Sequence, residues 1–158
     1  MATPVAIAIG SNLGDRDSHL AFAIEQLGAL LTGLRVSRII ETDPFQTGPQ
    51  PRYLNAVAAG ETDLLLRPFF DALRAIEHAR LRERPYKGAP RTLDLDLILY
   101  GCLVADEPDL VVPHPRFRER TFVLAPLAEV APGMRDPVSG ATVTELLEWL
   151  ITPRRDHL

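Results

Sequence analysis

The sequence predicts one α+β domain over residues 1–158, with a ferredoxin-like core in which helices pack on a mixed, largely antiparallel sheet. Strand-like and helix-like patterns alternate along the chain, and its length suits a single hydrophobic core. The connections over residues 42–53 and 80–91 contain no crossover helix, which favours antiparallel neighbours over a doubly wound parallel sheet.

The first half of the chain is predicted to form a strand, a helix and two further strands. Residues 5–9 are an unbroken apolar run that ends at Gly-Ser-Asn, which is typical of a buried strand. Over residues 15–31, apolar side chains recur every three or four positions and predict a helix with one buried face. β-branched residues over 35–42 and alternation over 53–61 predict two more strands.

The second half is predicted to form a helix, a strand, a rigid turn and a final helix. Pro68 is expected at the first position of a helix that continues to about residue 79. Residues 92–100 alternate as a strand does, and the prolines within residues 111–115 predict a rigid turn. Thr142 and Glu145 have the spacing of a capping box at the start of a helix.

Composition and charge restrict the partners. The chain has 17 Lys and Arg against 21 Asp and Glu, so its net charge of −4 argues against broad attraction to nucleic acid or anionic lipid. Its one cysteine, Cys102, cannot form an internal disulfide, and no apolar run approaches the roughly 18 residues of a membrane span. We expect a cytoplasmic monomer that acts on small molecules and binds neither nucleic acid nor membrane.

Two carboxylates stand out on the strand predicted over residues 92–100. A period of two places Asp94 and Asp96 on one face and the leucines at 93, 95, 97 and 99 on the other. Residues two apart on a strand lie about 6.6 Å apart, where two bare charges repel by roughly 2–3 kcal/mol at an effective dielectric near 20. Mg²⁺ between them would relieve this repulsion. The alternative is a solvated strand face whose aspartates pair with arginines, because this spacing is common.

A local positive segment precedes this acidic strand. Residues 80–91 carry five cations and one anion, and Arg91 stands three residues before Asp94. Metal ions that bridge phosphate oxygens, together with guanidinium groups, are what a bound nucleoside triphosphate requires. The alternative is a solvated charged loop. The sequence has no Gly-x-x-x-x-Gly-Lys motif, so side chains must hold the phosphates.

Six motifs follow one another between about residue 5 and residue 132: Gly10-Ser11-Asn12-Leu13-Gly14, Tyr53-Leu54-Asn55-Ala56-Val57, Arg82-x-Arg84, Pro90-Arg91-Thr92-Leu93-Asp94-Leu95-Asp96, Pro113-His114-Pro115-Arg116 and Arg120-x-Phe122-Val123-Leu124-x-Pro126-Leu127. In this order they resemble the 6-hydroxymethyl-7,8-dihydropterin pyrophosphokinases of folate biosynthesis. The resemblance implies a single α+β domain that transfers the β,γ-pyrophosphoryl group of MgATP to the hydroxymethyl oxygen of the reduced pterin and releases AMP.

The same resemblance implies roles for particular residues. It makes Asp94 and Asp96 the ligands of two Mg²⁺ ions, and Gly10 to Gly14 a turn that serves the fold. It implies that Arg82 and Arg91 are catalytic and bind ATP, and that Arg84 and His114 also contact ATP. The pterin site would comprise Tyr53 and Phe122 as a sandwich, Asn55 at the ring edge, and backbone groups from Thr42 to Phe45. Arg120 would line the same cleft, and the loops over 43–52 and 83–90 would act as mobile flaps.

Several positions depart from the family pattern. Leu81 replaces a glycine before Arg82, and the loop over 84–90 is shorter than in the best-known bacterial members. Asp109 and Pro115 stand where some relatives have an arginine and a tyrosine, which weakens two expected ATP contacts.

Two other functions were considered. A metal-dependent nucleotidyltransferase that uses the Asp94 and Asp96 pair would release pyrophosphate, whereas a pyrophosphokinase releases AMP. Another phosphotransferase that uses the same pair is also an alternative. An RNA-binding module on a ferredoxin-like core would present aromatic side chains on its sheet. The aromatic content of 6% and the negative net charge argue against the RNA-binding module.

Overall fold

The computed structural model describes residues 2–43, 51–80 and 92–152, which form two sheets, four α-helices and a 3₁₀ helix. In chain order the elements are β1 (Thr3–Ser11), α1 (Arg16–Leu30), β2 (Thr32–Val36), β3 (Ile40–Thr42), β4 (Tyr53–Thr62), α2 (Leu66–Arg80), β5 (Asp94–Tyr100), β6 (Ala105–Glu107), β7 (Leu110–Val112), the 3₁₀ helix (Phe117–Glu119), α3 (Thr121–Val130) and α4 (Val143–Ile151).

The main sheet has the strand order β2-β4-β1-β5, and β3 also pairs with β4. All pairings recorded among the described residues are antiparallel. The helix α1 connects β1 to β2 across β4, and α2 connects β4 to β5 across β1. These two split β-α-β units are the arrangement of a ferredoxin-like core, so the predicted α+β fold class is confirmed. No helix among the described residues has the length and apolar character that crossing a bilayer requires.

The predicted strand over residues 35–42 is wrong as one element, because the structure divides it into β2 and β3. Ser37 lies between them and is buried. Its hydroxyl accepts a hydrogen bond from the N–H of Val57 at 2.9 Å, and its own N–H donates to the Val57 carbonyl. A side chain thus replaces a backbone acceptor at this point and interrupts the ladder against β4, which a pattern of β-branched residues does not reveal.

Other elements were misplaced or missed. Pro68 is the third residue of α2, not the first. The helix α3 was not predicted, because its sequence contains Pro126 and is apolar on nearly all sides, so no amphipathic period is visible. The short hairpin of β6 and β7 was also missed. The capping box of Thr142 and Glu145 is present at the start of α4, as predicted.

The main sheet buries both faces. Val5, Ile7 and Ile9 of β1 point to the first face, where the buried side chains include those of α1 and α2. Ala6 points to the second face, which contributes to a core with α3 and α4. The register between β1 and β5 shifts between Ala6 and Ile7, which pair with Leu99 and Leu97. This irregularity turns Leu99 to the second face, so the prediction that it shares a face with Leu97 is wrong.

We predict that Gly60→Ala destabilises the sheet. A Cβ at Gly60 would lie 2.9 Å from the Thr32 carbonyl oxygen and 3.2 Å from the Leu31 Cβ, so backbone would have to move. Overpacking of this kind costs about 1–3 kcal/mol of unfolding free energy, measurable by urea denaturation. Gly133→Ala is the matched control, because a Cβ there meets nothing within 4 Å. Equal stability of the two variants would contradict the prediction.

Candidate active site

The register of the neighbouring strands β4, β1 and β5 brings the site residues together. Gly10 of β1 pairs with Asn55 of β4 on one side and with Asp94 of β5 on the other. Ala8 pairs with Asp96, so both carboxylates share the second face of the sheet. Asp94 and Asp96 are half-buried there, beyond the part of this face that α3 and α4 cover.

A cavity of about 560 Å³ opens over this end of the sheet. Its walls come from all three strands, from β3 and from the segment around the 3₁₀ helix. The side chains predicted for a site that line it are Thr42, Tyr53, Asn55, Asp94, Asp96, His114, Arg120 and Phe122. The other four predicted site residues, Phe45, Arg82, Arg84 and Arg91, lie outside the described residues.

Gly10 forms the floor of the cavity. A Cβ at this position would lie 3.4 Å from Asn55 Oδ1 and 3.6 Å from Tyr53 Cδ1. The missing side chain therefore keeps the space open between the polar edge at Asn55 and the carboxylate of Asp94. From the sequence, this glycine was expected to serve the fold alone, because its place in the cavity depends on strand register.

The amide of Asn55 is held in one orientation. Its Nδ2 donates a hydrogen bond to Thr42 Oγ1 at 2.6 Å. With the amino group engaged, Oδ1 lies over Gly10 and faces the cavity as an acceptor. This orientation suits a ligand edge that presents an N–H donor.

His114 lies in another wall of the cavity, close enough to Asp94 for the charge of that carboxylate to act on the ring. Its backbone N–H donates to the Ile98 carbonyl at 3.0 Å, which ties the wall to β5. Its Nδ1 accepts a hydrogen bond from the N–H of Arg116 at 3.2 Å, so a neutral ring carries its proton on Nε2. Burial, followed by the positive charge of Arg120, lowers the pKa of His114 to about 4. His114 is therefore a neutral hydrogen-bond donor near pH 7.

The same wall carries three charged side chains, those of Arg116, Glu119 and Arg120. The guanidinium carbon of Arg120 lies 5.7 Å from the centre of the Phe122 ring. Arg116 and Glu119 were not predicted as site residues. They belong to a short turn without periodicity, and only the fold brings this turn over the sheet.

Glu77 supports the carboxylate strand from the other side and was missed by the sequence analysis. It lies on α2, is almost fully buried, and its Oε2 accepts the N–H of Leu95 at 2.7 Å. Since β5 is at the edge of the sheet that the described residues form, no strand of that sheet pairs with this N–H. Burial, and to a lesser degree the charge of Asp94, raises the pKa of Glu77. A carboxylate among apolar helix residues was the only signal in the sequence.

Asp109, one of the departures from the family pattern, has a partner of its own. Arg67 Nη1 and Nη2 donate to its two carboxylate oxygens at 2.8 and 3.1 Å, and Arg67 also contacts Glu107. The hydrogen bond from Arg67 lowers the pKa of Asp109. The β6–β7 hairpin therefore presents an ion-paired carboxylate at this position.

The donor set around the two aspartates suits Mg²⁺. Within the described residues, no three or more side chains of His, Cys, Asp or Glu cluster so as to hold a metal ion. Asp94 and Asp96 thus offer carboxylate oxygens alone. Mg²⁺ is commonly bound in this way, by one or two carboxylates with water and substrate phosphates completing the shell.

Comparison with known proteins links this geometry to one family. Residues 6–132 match the family model described as 7,8-dihydro-6-hydroxymethylpterin-pyrophosphokinase (HPPK). The chain is 40% identical over 149 residues to a 2-amino-4-hydroxy-6-hydroxymethyldihydropteridine pyrophosphokinase of Pseudomonas aeruginosa, covering 93% of the chain and 91% of that protein. A protein of Bacillus subtilis with the same description is 41% identical over 126 residues, covering 78% of the chain and 75% of that protein.

Solved structures show the same fold at low sequence identity. A crystal structure of Plasmodium falciparum HPPK-DHPS superposes with a TM-score of 0.74 at 10% identity. It covers 96% of this chain, and this chain spans 43% of that longer one. The likeness therefore supports the fold of the domain.

We predict that His114 stays neutral in the folded protein well below pH 6.5, the usual pKa of a histidine side chain. An NMR titration of its ring protons should show a midpoint near pH 4. Arg120→Ala should raise that midpoint, because the Arg120 charge opposes protonation of the ring. A midpoint near 6.5 in the parent protein would contradict this assignment.

The lowered pKa of His114 also affects the free energy of unfolding. Between pH 6.5 and 4 the unfolded chain protonates this histidine and the folded chain does not, so this group destabilises the fold as the pH falls. His114→Asn should therefore lose less unfolding free energy than the parent between pH 7 and pH 5, measured by urea denaturation.

Proposed function

The chain belongs to the 7,8-dihydro-6-hydroxymethylpterin-pyrophosphokinase family, and we propose which of its residues perform that reaction. It is an ATP-dependent pyrophosphokinase of folate biosynthesis. The hydroxymethyl oxygen of the pterin bonds to the β-phosphorus of ATP while the bond from that phosphorus to the α,β-bridging oxygen breaks, and AMP leaves. The alternative of a nucleotidyltransferase, which would release pyrophosphate, is not favoured.

Asp94 and Asp96 are proposed to hold Mg²⁺ and, following the family resemblance, two such ions. The observation that carries this assignment is the pairing of Gly10 with both Asn55 and Asp94, which puts the carboxylates and the pterin-reading amide in one cavity. When bound, Mg²⁺ would draw charge from the phosphate oxygens and help orient the hydroxyl group.

The pterin is proposed to bind over Gly10. Asn55 Oδ1 would accept an N–H of the ring edge, since its amino group is engaged by Thr42. Tyr53 and Phe122 line the same cavity and would stack on the two faces of the ring. Phe45, which lies outside the described residues, keeps its proposed place in this pocket from the family resemblance alone.

The triphosphate is proposed to bind between the two carboxylates and the segment over residues 114–120. His114 would donate from Nε2 to a phosphate oxygen without adding charge, and Arg120 would supply a cation. Arg82, Arg84 and Arg91 keep their proposed phosphate contacts from the sequence resemblance. Because the transition state for phosphoryl transfer is loose, alignment and charge neutralisation by these groups are the main demands on the protein.

A cytoplasmic location, a monomeric state, the absence of nucleic-acid and membrane partners and a single domain over residues 1–158 remain predictions from the sequence. Size-exclusion chromatography with light scattering would test the monomer.

We predict that Asp94→Asn and Asp96→Asn each lower kcat by at least about 100-fold, because each removes a carboxylate that neutralises phosphate charge through Mg²⁺. Activity would be followed by the release of AMP at a series of Mg²⁺ concentrations, and folding by thermal denaturation. Asp63→Asn, an exposed carboxylate outside the cavity, is the matched control. Near-parental Mg²⁺-dependent turnover in both variants would refute the metal assignment.

We also predict that Phe122→Ala weakens pterin binding about 10-fold or more, because a stacked ring contributes roughly 1–3 kcal/mol. Calorimetry with 6-hydroxymethylpterin would measure this loss, with an ATP analogue changing less than about twofold. Phe70→Ala is the control, since Phe70 packs against Arg67 and Arg74 on α2 outside the cavity. Parallel losses for both ligands would count against a pterin contact.

A further inference from the structure

One wall of the cavity is a short segment with little structure of its own. Residues 114–120 carry His114, Arg116 and Arg120, and they contain only a three-residue 3₁₀ helix. The backbone hydrogen bonds that close this turn measure 3.1–3.4 Å, at the long end of the normal range. A single 3₁₀ turn is weak in isolation. The position of the wall therefore depends on its attachments to the rest of the protein.

Several attachments within the described part of the chain hold this segment. The N–H of His114 donates to the Ile98 carbonyl at 3.0 Å and anchors its start. The ring of Phe117 is fully buried in the core of the second face and anchors its middle. The third attachment is Arg118, two residues before Arg120. The end of the segment is also joined to α3, because the Arg120 carbonyl accepts the N–H groups of Val123 and Leu124 at 2.9 Å each.

Arg118 forms a two-pronged ion pair with Asp136. Its Nε donates to Asp136 Oδ2 at 2.5 Å and its Nη2 donates to Oδ1 at 2.7 Å. The guanidinium also lies over the Phe117 ring, 4.7 Å from its centre. A planar fork that engages both carboxylate oxygens fixes orientation as well as distance.

Asp136 is a rigid anchor for this fork. It is fully buried, and it also accepts the Val138 N–H at 3.0 Å and the Ser139 hydroxyl at 2.7 Å. Its backbone N–H and carbonyl are bonded to Ala141 and Gly140. Burial opposes ionisation, but the hydrogen bonds from Arg118 and Ser139 outweigh it and lower the pKa of Asp136 to about 2. The carboxylate is thus charged and held by its own loop.

We propose that Arg118 and Asp136 are positioning residues that hold the His114–Arg120 wall at the distance from β5 that binding of the ATP phosphates requires. The inference rests on the proposed function of that wall. Neither residue lines the cavity, so both act through His114 and Arg120. Tyr53 and Asn55 lie on β4, and Phe122 lies on α3, whose Val123 and Leu124 are buried in the core of the second face. Pterin binding should therefore depend less on this ion pair than ATP binding does.

Three variants test whether the ion pair positions the His114–Arg120 wall or only stabilises the fold. Arg118→Lys keeps the charge and loses the fork, and Asp136→Asn keeps the shape and loses the charge. The double variant Arg118→Met with Asp136→Leu replaces the pair by apolar side chains, which often preserves stability at buried ion pairs. Glu129→Gln is the control. Glu129 lies on α3 outside the cavity, and this change removes its exposed ion pair with Arg38.

Binding is measured by calorimetry with Mg²⁺ and a non-hydrolysable ATP analogue, and separately with 6-hydroxymethylpterin. Unfolding is measured in parallel by thermal denaturation. We expect the three variants to bind the ATP analogue about 10-fold more weakly while the pterin Kd changes less than about twofold, as a displaced binding group would produce. Their KM for ATP should rise more than their KM for the pterin, and the control should match the parent in both.

A double variant that is as stable as the parent and binds the ATP analogue with parental affinity would overturn the proposal. Equal losses for both ligands, in proportion to lost stability, would also overturn it. Because calorimetry needs no turnover, the proposal is tested even if the parent lacks pyrophosphokinase activity, which would instead refute the proposed function.

Discussion

The structure depends on the register of β1 between its two neighbours. Gly10 pairs with Asn55 and with Asp94, and this double pairing puts an amide and a carboxylate on one face of the sheet with no side chain between them. A slip of one residue in either ladder would turn these polar groups into the core of the first face. The buried side chains of β1 on that face make such a slip costly, so the core of the protein enforces the geometry of the site.

Two buried carboxylates outside the cavity support the segments that line it. Glu77 holds the N–H of Leu95 from the side of α2, and Asp136 holds Arg118 from the loop before α4. Neither of these two buried carboxylates lines the cavity, but each engages a group next to its lining. The lining is mixed in sign, with three aspartates and Glu119 as well as Arg116 and Arg120. An acidic protein can therefore offer a local site that suits both metal ions and phosphate.

Sequence-based prediction succeeded where the signals are local and failed where contacts join residues distant in the chain. β1 and α1 were predicted to within about two residues of their ends, and the start of α4 was predicted, because apolar period, turn residues and a capping box are local signals. The division at Ser37 and the irregular register near Ile98 were missed, because both arise from contacts with a strand distant in sequence. The helix α3 was missed because burial on almost all sides removes the amphipathic pattern on which prediction relies.

The amino-acid sequence was sufficient to predict the α+β class, the family and about half of the residues that line the cavity, because short motifs and local periodicity indicate all of these. It could not reveal the open floor at Gly10, the neutral state of His114, the support from Glu77 or the Arg118–Asp136 anchor. Each of these joins residues that are 18 or more positions apart or depends on the burial that the fold creates. Only the folded chain brings them within hydrogen-bond distance and removes the water that would otherwise compete for their polar groups.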